Sequence, residues 1–504
     1  MLSLPQATAT LVADESEARG SDTQLAWRGR RWTPGAWGSV REAPRVWTTE
    51  STLEGGSDET RSSTRVSPPP VTAPRPDGAP AATGTFRLIH GDALDVARAM
   101  DAEGLTGGVD LVYLDPPFAS RASYVHEARL DGRADGRVVR SPAYDDRWGD
   151  GLSAYLDMLA PRLEALAGLL SSSGTIWVHV DWRASYLVRL LLDEILGRDS
   201  FKNEIVWRRA PNLGRQATSR QFGRTLDTII VYGAANASIV PPTRLEPIAP
   251  SAIRLDEEGR RFTTAPRGDY TDASIRRLEE EGRVHRTASG KAYVKYFLVK
   301  NAEGVWCRER RVDALWTDVP PLRHASASER TGFPTQKPRA LLDRIVACAS
   351  PPGGLVVDLF AGSGTTGESA HALGRRFVLA DESPIALATA RARLRRAGVP
   401  LVVQMCEGSG ATPEGPAPLV SVERLGPGAR VELVAPREPL AWAIDVAHDA
   451  GRPFQVAWHA ERAPGARAVR AAAVEATLDH APGPIAVRVW YDDGRVGTRV
   501  MEDA

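Results

Sequence analysis

Cysteine is scarce in this chain of 504 residues, with only three present. Cys307, Cys348 and Cys406 lie far apart and form no C-x-x-C pair. That spacing argues against a disulfide framework and against a zinc site, and it suits a reducing cytosol. Net charge is missing too, because 63 Lys and Arg balance 63 Asp and Glu. No global field draws the chain towards a polyanion, so any basic surface must be local. Neither a secretory signal pattern nor an apolar run of about 18 residues, the length of a membrane span, occurs. A cytoplasmic protein without membrane association is the expectation. What is present, 42% hydrophobic and 25% charged residues, suffices for one large α/β domain with additions or for two to three ordinary domains.

The composition divides the chain. Residues 1–84 end in the Pro/Ser/Thr-rich tract "SSTRVSPPPVTAPRPDGAPAATG", which cannot bury a core and reads as a linker. Ahead of it Trp27, Trp32, Trp37 and Trp47 stand among arginines. A stacking arm and a poorly ordered or small β-rich extension are the two readings, and composition favours the extension. From 85 to 233, strand-like runs "FRLI", "VDLVYL", "TIWVHV", "NEIVW" and "TIIVYG" are interleaved with helical patterns at 152–170 and 184–196. Buried strands alternating with amphipathic helices predict a mostly parallel sheet covered on both faces. The pattern lapses over 234–330, which is polar and reads as an insertion. It resumes over 331–407 with a helix at 338–350, strands "LVVDLF" and "FVLAD", and a helix at 384–397. Residues 408–504 read as a linker and a small β-rich addition, with a hairpin turn expected at "DDG", 492–494.

Two short stretches carry chemistry. In "VVDLFAGSGTTGESA" (356–370), glycines follow a buried strand at once. They permit close backbone approach to a ligand and open the next helix. The pattern is neither the dinucleotide-binding G-x-G-x-x-G form nor a P-loop, which needs G-K-[ST]. Asp381, one strand later, has the spacing of a ribose-hydroxyl acceptor. In "LVYLDPPFAS" (111–120), an apolar run delivers an aspartate, two prolines and a phenylalanine.

Together these stretches resemble S-adenosylmethionine-dependent DNA amino-methyltransferases. "DLFAGSGTTG" is similar to their cofactor motif and "DPPF" to their catalytic motif. "GFPTQKPRALLDRIV" (332–346) is similar to the segment packing against the cofactor's methionine part, and "HGDALDV" and "GTIWVHVD" also fit. The order, catalytic half before cofactor half, is that of the β group, which includes modification subunits of type III restriction systems. The resemblance implies a Rossmann-like, seven-stranded α/β sheet, circularly permuted, with 234–330 as inserted target-recognition region. "LVVDLF" and "FVLAD" are expected beside "FRLIH", followed by "VDLVYL", "TIWVHV" and a closing pair. Both motif turns are expected at carboxyl ends of adjacent parallel strands, where open α/β sheets bind ligands.

The resemblance also implies roles. An exocyclic base amine is a poor nucleophile, because its lone pair is delocalised into the ring. Asp115 and the Pro116 carbonyl are expected to accept its two N–H groups, with Pro116 and Pro117 fixing the backbone and Phe118 offering a face for a flipped-out base. No metal is required. For S-adenosylmethionine, Phe360, Ala361, Gly362 and Gly364 are expected to line the methionine and ribose, with Asp358 orienting the turn. Asp381 takes the ribose hydroxyls, although "LADES" leaves Glu382 as the other choice. Asp92 lies near the adenine end, and Lys337 pairs with the cofactor carboxylate beside Thr335.

Double-stranded DNA is the implied partner, and in this family a restriction subunit or a second copy of the chain also serves as one. Residues 201–330 hold 23 Lys and Arg against 16 Asp and Glu. "WRRAPNLGRQATSRQFGR" (207–224) concentrates Arg208, Arg209, Arg215, Arg220 and Arg224 without one acid, which suits phosphate tracking. An aspartate ahead of the prolines favours adenine N6 as the target. Cytosine N4, an RNA base, and a non-catalytic DNA-binding or specificity subunit remain the alternatives.

Overall fold

The computed structural model describes residues 10–12, 24–26, 47–53 and 86–501, apart from 121, 130–137, 149–150, 215–216, 219, 238, 407–414, 426, 437–440, 447–457, 462, 465–468, 471–474, 479–480, 482 and 492–494. The chain divides into two compact units, Val240–Leu315 and the chain on either side of it.

The larger unit is built on a ten-stranded sheet. Its strands, in chain order, are β1 (Trp47–Leu53), β2 (Phe86–His90), β3 (Val109–Leu114), β4 (Leu170–Val180), β5 (Phe201–Arg208), β6 (Leu226–Gly233), β7 (Leu315–Trp316), β8 (Leu355–Asp358), β9 (Arg376–Asp381) and β10 (Leu401–Cys406). Across the sheet they run β7-β5-β6-β4-β3-β8-β9-β2-β10-β1. Six adjacent strands, β4 to β10 in that order, are mutually parallel. β6 runs antiparallel to β4, and β5 to β6.

All seven strands expected from the sequence lie in this sheet. The neighbourhood differs in one respect. "FVLAD" borders "FRLIH", while "LVVDLF" lies between "FVLAD" and "VDLVYL". The catalytic strand β3 therefore pairs directly with β8, Val356 opposite Leu111. β10 and β1 extend the far edge. "LVVQMC" is short and runs straight into a Gly-rich tract, so its pairing with β2 has no local signature.

Helices α1 (Ala93–Ala102), α2 (Leu152–Gly168), α3 (Ser185–Leu196), α4 (Arg339–Ala349), α5 (Thr365–Ala372) and α6 (Pro384–Arg396) link the strands. Asp92 caps α1, its side chain accepting from Leu94 N, and Pro384 opens α6 at a position where no backbone donor is lost. Val112, Leu114, Ile176 and Val178 of β3 and β4 pack with Leu159, Leu163, Leu187 and Leu191 of α2 and α3 in one buried core. Among the described residues no helix is long and apolar enough to cross a membrane.

The smaller unit is an antiparallel sheet, in the order Thr243–Pro247, Trp306–Arg311, Ala292–Lys300, Arg261–Pro266, Arg254–Leu255. Val284–Arg286 also pairs with Ala292–Lys300. Helix Asp272–Glu280 adds Ile275 and Leu278 to a small core with Val294. Its strands are hidden in the sequence because cationic side chains cover its rings. The Arg308 guanidinium lies 3.4 Å from the Tyr296 ring centre and that of Arg260 4.3 Å from Phe297. Such stems bury apolar surface without apolar residues, and alternation disappears.

Beyond residue 418 a three-stranded and a four-stranded antiparallel sheet share a core of Val431, Leu433, Trp442, Ile444, Val487 and Val489. This is a β-rich addition. Ile485–Trp490 pairs with Val496–Met501, while the expected "DDG" turn lies outside the described residues.

Candidate active site

β3 and β8 end side by side, and each delivers an aspartate to the carboxyl edge of the sheet. The turn after β3 is held from a distance. The buried carboxylate of Asp146 accepts from three successive backbone amides, Phe118 (3.2 Å), Ala119 (3.0 Å) and Ser120 (2.7 Å), and from the Trp148 indole (2.9 Å). Ala119 sits at φ 54°, a conformation that non-glycine residues rarely adopt. The three aligned donors offset that strain and aim the Asp115–Phe118 segment into a pocket. Nothing in the sequence marks Asp146 for this task, since its partners lie 26 to 28 residues upstream.

Asp115, Pro116, Pro117 and Phe118 line that pocket together with Asp358, Phe360, Ala361, Gly362, Thr335, Lys337, Asp92 and Asp381. Residues expected to act together are thus brought together, although the chain separates them by more than two hundred positions. Lys337 departs from its expected role. Its ammonium is ion-paired with Asp115 Oδ2, close to the Phe118 ring, rather than standing free for a cofactor carboxylate. The consequence is directional. One Asp115 oxygen is occupied, and the other, Oδ1, is buried without a hydrogen-bond partner among the described residues. A buried unpaired acceptor is costly, and such atoms persist where a ligand supplies the donor.

The second turn is held locally. Asp358 Oδ1 accepts from Phe360 N (3.0 Å) and Oδ2 from the Thr366 hydroxyl (2.5 Å). Burial, above the two bonds that oppose it, pushes this carboxyl up to about 7. Asp381 accepts from Gly362 N (2.8 Å) through Oδ2 and from Ser383 N (2.9 Å) through Oδ1, and burial raises it to about 6. Both Asp381 oxygens therefore brace backbone. Glu382, exposed on the same pocket's rim, has no side-chain partner among the described residues. Gly364 caps α5 at φ +74°, and a Cβ there would stand 2.8 Å from Ala390 Cβ. This glycine serves helix packing rather than approach to a ligand.

The "TQKP" segment is fastened to the same turn. Thr365 Oγ1 donates to the Lys337 carbonyl (3.2 Å). Buried Gln336 accepts from Thr331 N (2.8 Å) and Oγ1 (2.7 Å) and donates to Glu329 O (2.7 Å). Asp92 lines the pocket but is engaged on both sides, capping α1 and paired with Arg162 of α2.

The basic loop joins β5 to β6. Because β6 begins opposite the end of β4, Thr228 facing Val180, the loop rises from the same edge as Asp115. Arg208 and Arg220 are exposed, as is Phe222, completely so. Arg224 lies 3.9 Å from the centre of the Trp182 ring. Arg209 is not free for phosphate as expected. Its Nε donates to Asp227 Oδ1 at 2.7 Å. Arg215 lies outside the described residues.

Comparison with known proteins adds to this geometry. A family model described as DNA methylase, for N6 and N4 methyltransferases, matches residues 109–391, more than half of the chain. The type II methyltransferase M.EcaI of Enterobacter cloacae is 27% identical over 318 residues, 58% of this chain and 66% of that protein. The StyLTI Mod subunit, of a type III restriction-modification enzyme of Salmonella typhimurium, is 24% identical over 347 residues, 57% of this chain and 50% of its own. The DNA adenine methyltransferase YhdJ of Escherichia coli is 26% identical over 291 residues, 58% of this chain and 76% of that protein. The chain thus spans about two thirds and one half of the first two relatives.

Proposed function

The chain belongs to the DNA methylase family, and from that membership we propose that it transfers the methyl group of S-adenosylmethionine to the N6 amine of adenine in a specific sequence of double-stranded DNA. The observation that carries the reading is Asp115 Oδ1, a buried acceptor with no partner among the described residues, in a pocket shared with the glycine turn. An exocyclic amine presents the missing donor. Lys337 holds the other carboxylate oxygen, so Oδ1 stays in place. The Pro116 carbonyl takes the second N–H, and the half-buried Phe118 ring supports the base that has left the duplex. Two acceptors on one amine draw its lone pair out of the ring and direct it along one line.

The residues present also fit the cofactor. The Phe360–Gly362 stretch lines the pocket, and the Glu382 carboxylate just past the end of β9, without a side-chain partner among the described residues, suits the ribose hydroxyls. S-adenosylmethionine, when bound there, supplies a methyl group on a positively charged sulfur. Glu382 is therefore preferred to Asp381 as the ribose acceptor, with Asp92 and Thr335 at the pocket's flanks.

Arg208, Arg220 and Arg224 lie on the loop that rises beside the pocket and suit DNA phosphates, with Arg215 on the same stretch of sequence. Adenine is preferred to cytosine because YhdJ, by its name, acts on adenine and because aspartate precedes the two prolines. Likeness to a Mod subunit extends the reading to a restriction subunit as partner.

Incubation of the chain with labelled S-adenosylmethionine and unmethylated DNA, followed by nucleoside analysis, tests the reaction. Label in N6-methyladenine is expected. Label in N4-methylcytosine would overturn the choice of base, and no label in DNA would overturn the activity.

A further inference from the structure

Behind the Phe118 ring lies a hydrogen-bonded chain of side chains that the roles above leave unused. His179 of β4 is completely buried. Its ring stacks against that of Phe118, centroids 6.0 Å apart and planes 20° from parallel. Tyr113 and Trp207 pack edge-on at 6.3 and 5.8 Å. His179 Nδ1 is 3.0 Å from the Tyr113 hydroxyl and Nε2 is 3.2 Å from Asp227 Oδ2. The other Asp227 oxygen accepts from Arg209 Nε (2.7 Å). Arg209 in turn donates to the carbonyl of Arg224 (3.4 Å), at the opposite end of the basic loop.

The chemistry fixes the direction of the bonds to Asp227. Burial alone would raise the Asp227 carboxyl. The bond from His179, its charge, and the positive charges of Lys337 and Arg209 outweigh it and hold the group below the usual range. A carboxylate accepts only, so His179 carries its proton on Nε2. Nδ1 faces the Tyr113 hydroxyl, which can either donate to it or accept from it. Both ring nitrogens are engaged, so the imidazole plane is locked. A locked imidazole fixes the plane of the ring stacked on it.

We propose that His179 is a positioning residue for the target base. It sets the plane of Phe118 and connects that ring, through Asp227, to Arg209 at the root of the basic loop. Engagement of the loop by DNA and seating of the base then become one event. This rests on the proposed reading of Phe118 as the base platform and goes beyond it, because it assigns work to three residues that touch neither base nor cofactor.

A double-mutant cycle reads the connection, because independent effects multiply and coupled ones do not. The full chain is assayed in single-turnover methyl transfer to saturating unmethylated plasmid DNA. Phe118→Leu, Arg209→Gln and the double variant are compared. Each single change is expected to slow transfer by about tenfold or more, with cofactor and DNA affinities nearly unchanged, and the double variant to be little slower than the worse single one. Multiplying effects would overturn the proposal, as would a loss confined to DNA affinity. Because His179→Phe leaves buried Asp227 Oδ2 without its donor and could fail to fold, nitrogen-15 histidine spectra of the full chain supply a second reading without turnover. A hydrogen-bonded Nε2–H is expected for His179, and Arg209→Gln is expected to shift its signal. A signal indifferent to Arg209→Gln overturns the proposal. Wild-type protein that transfers no methyl, with Arg209→Gln still shifting the His179 signal, contradicts the reaction and supports the connection.

Discussion

Two turns meet at the carboxyl edge of this sheet, and they are held in opposite ways. The glycine turn after β8 is braced by its own neighbourhood. Asp358 bonds residues two and eight positions on, and Asp381 reaches it from the adjacent strand. The Asp115–Phe118 turn owes its shape to Asp146, which is joined to it by no local pattern. On the proposed reading, the turn that places a cofactor is written compactly, and the turn that aims two acceptors at an amine takes a buried anchor from elsewhere.

If the two turns divide the labour in this way, substitutions in them should separate methyl transfer from cofactor binding. Asp115→Ala carries the largest expected effect, a loss of single-turnover transfer of at least about a thousandfold. Asp146→Ala comes next. It leaves three amides and an indole without their acceptor, and transfer should fall by about a hundredfold with cofactor affinity changed by only a few-fold. Gly364→Ala acts on the other turn. The strained φ and the 2.8 Å approach to Ala390 should lower stability by about 1–3 kcal/mol in denaturant titration and weaken cofactor binding. Glu382→Gln should raise the cofactor KM by about tenfold and leave kcat nearly unaltered.

A separate effect is one of pH. Folding raises the Asp358 carboxyl from 3.8 to about 7, so the folded state binds that proton more tightly than the unfolded state. Stability from this group is full below about pH 4 and is lost as pH climbs to about 7, at about 1.4 kcal/mol for each unit. Thermal melting should therefore shift down between pH 5.5 and 8 in the wild-type chain and change less in Asp358→Asn. An equal slope in the variant would assign the pH dependence elsewhere.

Much of this architecture was legible because parallel strands buried on both faces are continuous apolar runs, and the turns that follow them carry unusual residues. The Asp115 and Gly362 stretches stood out for that reason. Their adjacency followed from strand order, not from any residue. Lys337 was legible as a pocket residue but not as the partner of Asp115, since an ammonium can face either carboxylate. Arg209 looked like its neighbours in the basic loop, and only the β5–β6 pairing brings Asp227 beneath it. His179 was hidden inside an apolar run, "TIWVHV", where one histidine gives no hint of its two bonds. The sheet of 240–315 was obscured because arginine stems do there what valines do elsewhere.

Equilibrium binding of labelled S-adenosylmethionine to Asp115→Ala, on the same preparation whose transfer has been lost, tests the division between the turns most directly. Binding at least as tight as in the wild-type chain is predicted, because Lys337 is released from its ion pair while the glycine turn is untouched. Loss of cofactor binding together with transfer would contradict it.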